Sequence, residues 1–193
     1  VQTCALPIWF TERDIDEYNL PQIESGFARN RSTGFHNFFE DICSKFPHVL
    51  YVAGNHDEFV GWHLVNWLQT FFRNTERLTF DCSPKYRKYI SYGHSALLFT
   101  HGDAIKPAKL AGLFPIEYKD RWSFHNNFYI FTGDKHHELS QDFNGIKFYQ
   151  VAAFSNAKSK WDDKHGHVLG RGEVTGFLID SVDGMTNIFK QYL

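Results

Sequence analysis

Three short runs of this 193-residue chain set metal-competent and proton-transferring side chains beside chain-turning glycines. They are Gly54-Asn55-His56-Asp57, His101-Gly102-Asp103 and Gly133-Asp134-Lys135-His136-His137. Glycine lets the backbone turn tightly and pass close to a ligand. The Asn55 carbonyl oxygen can ligate a hard cation. His56 is placed for proton transfer, with Asp57 beside it to orient the ring and balance its charge. Asp134 offers a carboxylate, which favours harder ions such as Mn²⁺ or Mg²⁺. It also reads as a plain loop aspartate, and His137 replaces His136 if the loop register differs by one residue. A Gly-Asn pair alone is an ordinary turn after a strand. The four residues together, directly after a buried strand, favour function.

Each run needs an element to carry it. Residues 49–53 read as a short buried strand running into Gly54, 96–100 as a strand ending at His101, and 128–132 as a strand ending at Gly133. Aligned in one sheet, such strands bring their loops to one edge, where layered α/β folds bind ligands. Around them, 34–46 and 62–72 have helical spacing. Residues 86–92 form a further strand, joined to 96–100 at Gly93-His94, and 146–152, 173–179 and 185–192 read as C-terminal strands. Residues 106–127 read as short helices broken at Gly112 and Pro115. Residues 11–33, polar with Pro21 and Gly26, read as a loop or lid.

Composition narrows the classes. Hydrophobic residues make up 42% and aromatics 18%, enough for a sizeable core, so wholesale disorder is excluded. A net charge of -2 argues against a broadly basic nucleic-acid binder. No apolar run reaches the ~18 residues of a membrane span, so no membrane partner is expected. The three cysteines, Cys4, Cys43 and Cys82, form no CxxC and build neither a disulfide scaffold nor a zinc knuckle; they lean toward a cytoplasmic protein. Of the eleven histidines, His36, His48, His63 and His94 sit within or beside helices and strands and read as structural or surface residues. His125 reads equally as a phosphate contact or a helix end. His165 and His167, near Trp161, Asp162 and Asp163, read as a solvated loop. Arg29, Arg31, Lys106, Lys109 and Arg171 are scattered charges that could meet phosphate, but such charges usually only solvate a surface.

The three runs, in this order and each after a strand, resemble the last three of the five sequence blocks of the calcineurin-like metallophosphoesterases. The central Gly-Asn-His-Asp/Glu block is matched by Gly54-Asn55-His56-Asp57, the lone histidine by His101, and Gly-His-x-His by Gly133-Asp134-Lys135-His136, with Asp134 where the family has histidine. The resemblance covers about residue 49 to the C-terminus. It implies a layered α/β sandwich of two mixed β-sheets packed face to face with helices outside. It also implies hydrolysis of phosphate monoesters or diesters at a dinuclear centre with a bridging hydroxide. Asn55, His101 and Asp134 would hold one divalent metal and His136 would complete the second, with Mn²⁺ favoured over Fe, Zn or Mg. His56 would protonate the leaving oxygen and Asp57 would orient His56. Nucleotides or nucleic acid are among the substrates implied. A non-catalytic scaffold on the same fold is the alternative.

The family's first two blocks, Asp-x-His and Gly-Asp, lie upstream of Gly-Asn-His-Asp and have no counterpart here. Residues 1–8 (VQTCALPI) resemble a translated sequencing adapter, GTT CAG ACG TGT GCT CTT CCG ATC, and the Trp9 codon begins with the adapter's next base. Residues 1–8 are therefore read as an artefact, and 9–193 as a single domain whose first strand and helix are missing. Such a chain is expected to be unstable and nearly inactive by itself, with the sheet short of one strand.

Overall fold

The computed structural model describes residues 48–55, 58–76, 78–152 and 172–192. The helix expected over 34–46, the loop over 11–33 and the first eight residues lie outside them. In chain order the elements are β1 (His48–Leu50), α1 (Glu58–Phe71), β2 (Thr79–Asp81), β3 (Arg87–Tyr92), β4 (Ser95–Thr100), α2 (Pro107–Glu117) and α3 (Lys119–Trp122). They continue with β5 (Asn127–Thr132), β6 (Leu139–Phe143), β7 (Ile146–Gln150), β8 (Glu173–Asp180) and β9 (Gly184–Tyr192).

The main sheet has five strands in the order β3-β4-β5-β7-β6. Its centre is parallel, β4 with β5 and β5 with β7, and antiparallel β3 and β6 close the two edges. A parallel strand covered on both faces reads as a continuous apolar run. β4, SALLFT, is buried at every position. Its alternating side chains divide two cores. Ala96 and Leu98 join Ile130, Ile146 and Phe148 beneath Leu110, Ala111 and Phe114 of α2. Leu97 and Phe99 join Tyr129, Phe131 and Val151 against Phe177 and Ile179 of β8, with Leu50 and Val52 packed alongside.

The second layer holds two strand pairs, parallel β1–β2 and antiparallel β8–β9. α1 is tied to the residues that follow β1 and β2. Trp62 Nε1 donates to the Cys82 carbonyl at 3.1 Å and the Tyr51 hydroxyl donates to the Glu58 carbonyl at 3.0 Å. The chain is thus a layered mixed α/β structure with helices on the outside. Among the described residues the second layer is two separate strand pairs, where one continuous sheet was expected. No helix among the described residues is long and apolar enough to cross a membrane.

Three local expectations need correction. α2 runs unbroken through Gly112 and Pro115. Pro107 opens it, where a missing N–H costs nothing. Pro115 falls in its last turn, so only one internal hydrogen bond is lost, and Tyr118 N closes the end on the Phe114 carbonyl at 3.0 Å. Strand β1 stops at Leu50, although Tyr51 N still donates to the Asp81 carbonyl at 3.1 Å. The short edge strands β2 and β6 had no apolar run to reveal them.

The β3–β4 hairpin turns on Gly93, at φ +52°. A Cβ there would stand 2.0 Å from the Ser181 carbonyl oxygen, the atom that accepts the His94 amide at 2.7 Å. Strain at positive φ and a clash with backbone add together. Gly93→Ala is expected to cost about 2–3 kcal/mol, read as a lower urea midpoint with an unchanged slope.

Candidate functional site

The topology delivers the three loops together. β4 and β5 are parallel neighbours, so His101 and Gly133 leave the sheet side by side, and the Gly133 amide donates to the His101 carbonyl at 2.9 Å. Gly102 has φ +105°, and a Cβ on it would lie 2.9 Å from Thr132 Cβ. Only glycine lets the second loop cross so close to the third. The loop after β1 approaches from the second layer. Asn55 Oδ1 lies 3.1 Å from His101 Nε2, and Asp134 Oδ1 lies 3.3 Å from the same nitrogen.

Three of the six candidate site residues, Asn55, His101 and Asp134, thus meet at one point. His101 is 4% exposed, Asp134 is half-buried and Asn55 is exposed. His136 sits two residues beyond Asp134 and is half-buried. Among the described residues no group of three or more His, Cys, Asp or Glu is close enough to hold a metal. His56 and Asp57 lie outside the described residues. His137 is exposed and turned back on its own loop, its Nδ1 donating to the Lys135 carbonyl at 2.8 Å.

The third loop is held in an unusual conformation. Asp134 has φ +61° and His136 has φ +56°. Asp and His are among the non-glycine residues that tolerate this left-handed region, and strain of this kind collects at functional sites. Lys135 between them sends Nζ to Asp134 Oδ2 at 2.6 Å. That pairing was not foreseen, and its only sequence signal was a lysine between two candidate ligands.

The donor set can be tested for a divalent metal on its own geometry. Two ligands bonded at about 2.1 Å lie about 3.0 Å apart when cis in an octahedron and about 3.4 Å apart in a tetrahedron. The separations at His101 Nε2 fit this range. An amide oxygen, a carboxylate and an imidazole also suit Mn²⁺, Zn²⁺ or Fe²⁺. The buried His101 Nδ1 has no hydrogen-bond partner among the described residues. An unpaired buried nitrogen costs about 1–3 kcal/mol.

Three further histidines among the described residues have partners of their own, and His36, His165 and His167 lie outside those residues. His125 is a satisfied core residue. Its Nδ1 donates to the Arg121 carbonyl at 2.8 Å, which leaves Nε2 to accept from the Ser91 hydroxyl at 2.6 Å. A phosphate contact is therefore not its role. His48 Nδ1 meets Thr79 Oγ1 at 2.6 Å and joins β1 to β2. His63 lies edge-on to the rings of Phe59 and Trp62 on α1.

A buried lysine braces the first loop from below. Lys88, 3% exposed, donates to Asp81 Oδ1 at 2.8 Å and to the Asp81 carbonyl at 2.9 Å, the carbonyl that also receives Tyr51 N. Burial pushes the Asp81 carboxyl up, but hydrogen bonds from Lys88 and Ser83 outweigh it and hold the group below its ordinary value. A carboxylate depressed on folding stabilises the fold above its unfolded value of about 4. That stability is lost as pH falls through the lower folded value. Asp81→Asn is expected to flatten this acid limb in urea midpoints measured from pH 6 down to pH 3. An acid limb as steep as that of the unsubstituted chain would count against the assignment.

No family model and no curated protein matches the chain. Three solved structures of Vps29 from Entamoeba histolytica are similar to it. A double mutant has 13% identity and TM-score 0.44, over 81% of this chain and 88% of that one. A single mutant has 12% identity and TM-score 0.44, over 96% and 97%. The wild type complexed with Zn²⁺ has 12% identity and TM-score 0.41, over 80% and 87%.

Proposed function

We propose that Asn55, His101 and Asp134 form a divalent-metal site and that the protein uses it to hydrolyse phosphate esters. One observation carries this reading: an amide oxygen and a carboxylate oxygen from two different loops both approach a single buried imidazole nitrogen, at 3.1 and 3.3 Å. When bound, divalent metal supplies charge against the phosphoryl oxygens and an activated water. The chain's part is to hold that geometry rigidly. Asn55 and Asp134 flank His101, and the Gly133–His101 backbone bond fixes the His101 and Asp134 loops together. His136 is proposed to complete a second metal's ligands. His56 is proposed to protonate the leaving oxygen, with Asp57 orienting it. Phosphomonoesters, nucleotides and nucleic-acid diesters are the proposed substrate classes, and Mn²⁺ the proposed metal.

A second reading, a non-catalytic scaffold on the same architecture, also has an observation behind it. The described residues contain no three-membered His, Cys, Asp or Glu cluster, and Asp134 is already engaged by Lys135. One experiment separates the two. The full-length gene product is titrated with Mn²⁺ and assayed on p-nitrophenyl phosphate and bis-p-nitrophenyl phosphate, with and without chelator. Chelator-sensitive turnover supports the hydrolase. Metal binding without turnover on either ester supports the scaffold, and no metal binding overturns the site.

A further inference from the structure

The geometry points to Lys135 as a built-in counter-ion that occupies Asp134 in the metal-free protein and is displaced when a divalent cation binds. This rests on the metal site proposed above and concerns how that site is regulated.

The two oxygens of Asp134 have different neighbours. Oδ1 faces His101 Nε2 at 3.3 Å, on the side where Asn55 also approaches. Oδ2 is held by Lys135 Nζ at 2.6 Å. A half-buried carboxylate needs a positive partner, and Lys135 supplies it from the adjacent residue. The loop is folded to allow this. Asp134 at φ +61° and His136 at φ +56° bracket Lys135, and the Lys135 amide closes on the Gly133 carbonyl at 2.7 Å.

An ammonium at 2.6 Å from one carboxylate oxygen lies within a few ångströms of a cation on the other oxygen. A divalent ion and this ammonium repel, and each lowers the carboxylate's attraction for the other. The Lys135 side chain is 52% exposed, so it has solvent to move into on a flexible four-carbon stem. Its side chain belongs to neither hydrophobic core. Lys135 therefore holds the empty carboxylate in place and sets a threshold cation concentration for filling it.

The test compares the unsubstituted protein with Lys135→Gln and Lys135→Arg by calorimetric titration with Mn²⁺ at fixed ionic strength. Lys135→Gln is expected to bind Mn²⁺ about 3- to 10-fold more tightly, because an exposed pair and a screened repulsion are modest. Lys135→Arg, which keeps the charge, is expected to bind as the unsubstituted protein does. Acylation of Lys135 by a soluble succinimidyl ester, followed by mass spectrometry, is expected to speed up on Mn²⁺ addition as the ammonium is released. Equal or weaker Mn²⁺ binding by Lys135→Gln, or acylation that Mn²⁺ leaves unchanged, overturns the counter-ion role while leaving the metal site standing. No Mn²⁺ binding by any of the three proteins overturns the metal site itself, and the counter-ion role with it.

Discussion

His101→Ala is expected to lower Mn²⁺ affinity by about 10²-fold or more while leaving the fold close to its original stability. The two halves of that expectation have different causes. Outer-shell partners of a metal ligand are typically worth about 10–100-fold in affinity, and a direct ligand is worth at least as much. His101 is also the vertex of the cluster: Asn55 and Asp134 each approach its Nε2, and no described contact joins them to each other. Without the imidazole, an exposed amide and a carboxylate bonded to Lys135 remain, a weak pair for any cation.

The stability half follows from the orphaned Nδ1. A ring that is 4% exposed normally contributes through packing, and its removal leaves a cavity. Here the same removal also deletes a buried nitrogen that has no partner among the described residues, a penalty of about 1–3 kcal/mol. The two effects oppose each other. Calorimetry should therefore show binding collapse while the metal-free unfolding midpoint moves little. His101→Gln keeps a polar side chain and serves as a control against cavity collapse. A large loss of stability with Mn²⁺ affinity intact would mean that His101 is a core residue and not a ligand.

The sequence showed these loops but not how they are used, and the reason lies in what each kind of residue can signal. β4, β5, β7 and β8 stood out because each buries at least one face, which leaves an apolar run or alternation; β9 was legible from Ile188, Phe189 and Tyr192, although all three are exposed. β2 and β6 lie at edges, with mostly polar faces, and only pairing reveals them. Gly112 and Pro115 read as helix breakers because local rules carry no information about α2's apolar side. Leu110, Ala111 and Phe114 bury that side on the sheet and override them. Asn55, His101 and Asp134 were named from the resemblance of their three runs to the family blocks, and the parallel pairing of β4 with β5 explains why two of them meet. His125 could not be resolved, because its partner Ser91 lies 34 residues away on β3 and is brought close only by folding, while the Arg121 carbonyl is a local contact one helical turn back. Lys135 was passed over for the opposite reason: its partner is its immediate neighbour, and a lone loop lysine usually faces solvent.

Phe131→Ala is expected to be the most destabilising single substitution considered, at about 3–5 kcal/mol, within the range for removing a fully buried aromatic ring. Phe131 is 0% exposed. Its ring stacks on Phe99 of β4 at 5.1 Å, lies 5.8 Å from Tyr149 of β7 and meets Phe177 of β8 at 4.7 Å. One side chain thus joins three neighbouring strands of the main sheet to the second layer. Domains of this size keep only about 5–15 kcal/mol of stability, so the loss takes a large share of it. Phe124→Ala is the matched control: the same atoms are removed from a ring that is 72% exposed, and the expected change is within about 0.5 kcal/mol. The comparison also reaches the site. Phe99 and Phe131 each stand two residues before the paired His101 carbonyl and Gly133 amide, so their stacking keeps the β4 and β5 ends level where the candidate ligands emerge. The folded fraction of Phe131→Ala should accordingly bind Mn²⁺ several-fold more weakly. Urea unfolding of both variants, with Mn²⁺ titration below the transition, checks both parts. A midpoint shift no larger than that of Phe124→Ala would show that the second layer does not rest on this ring.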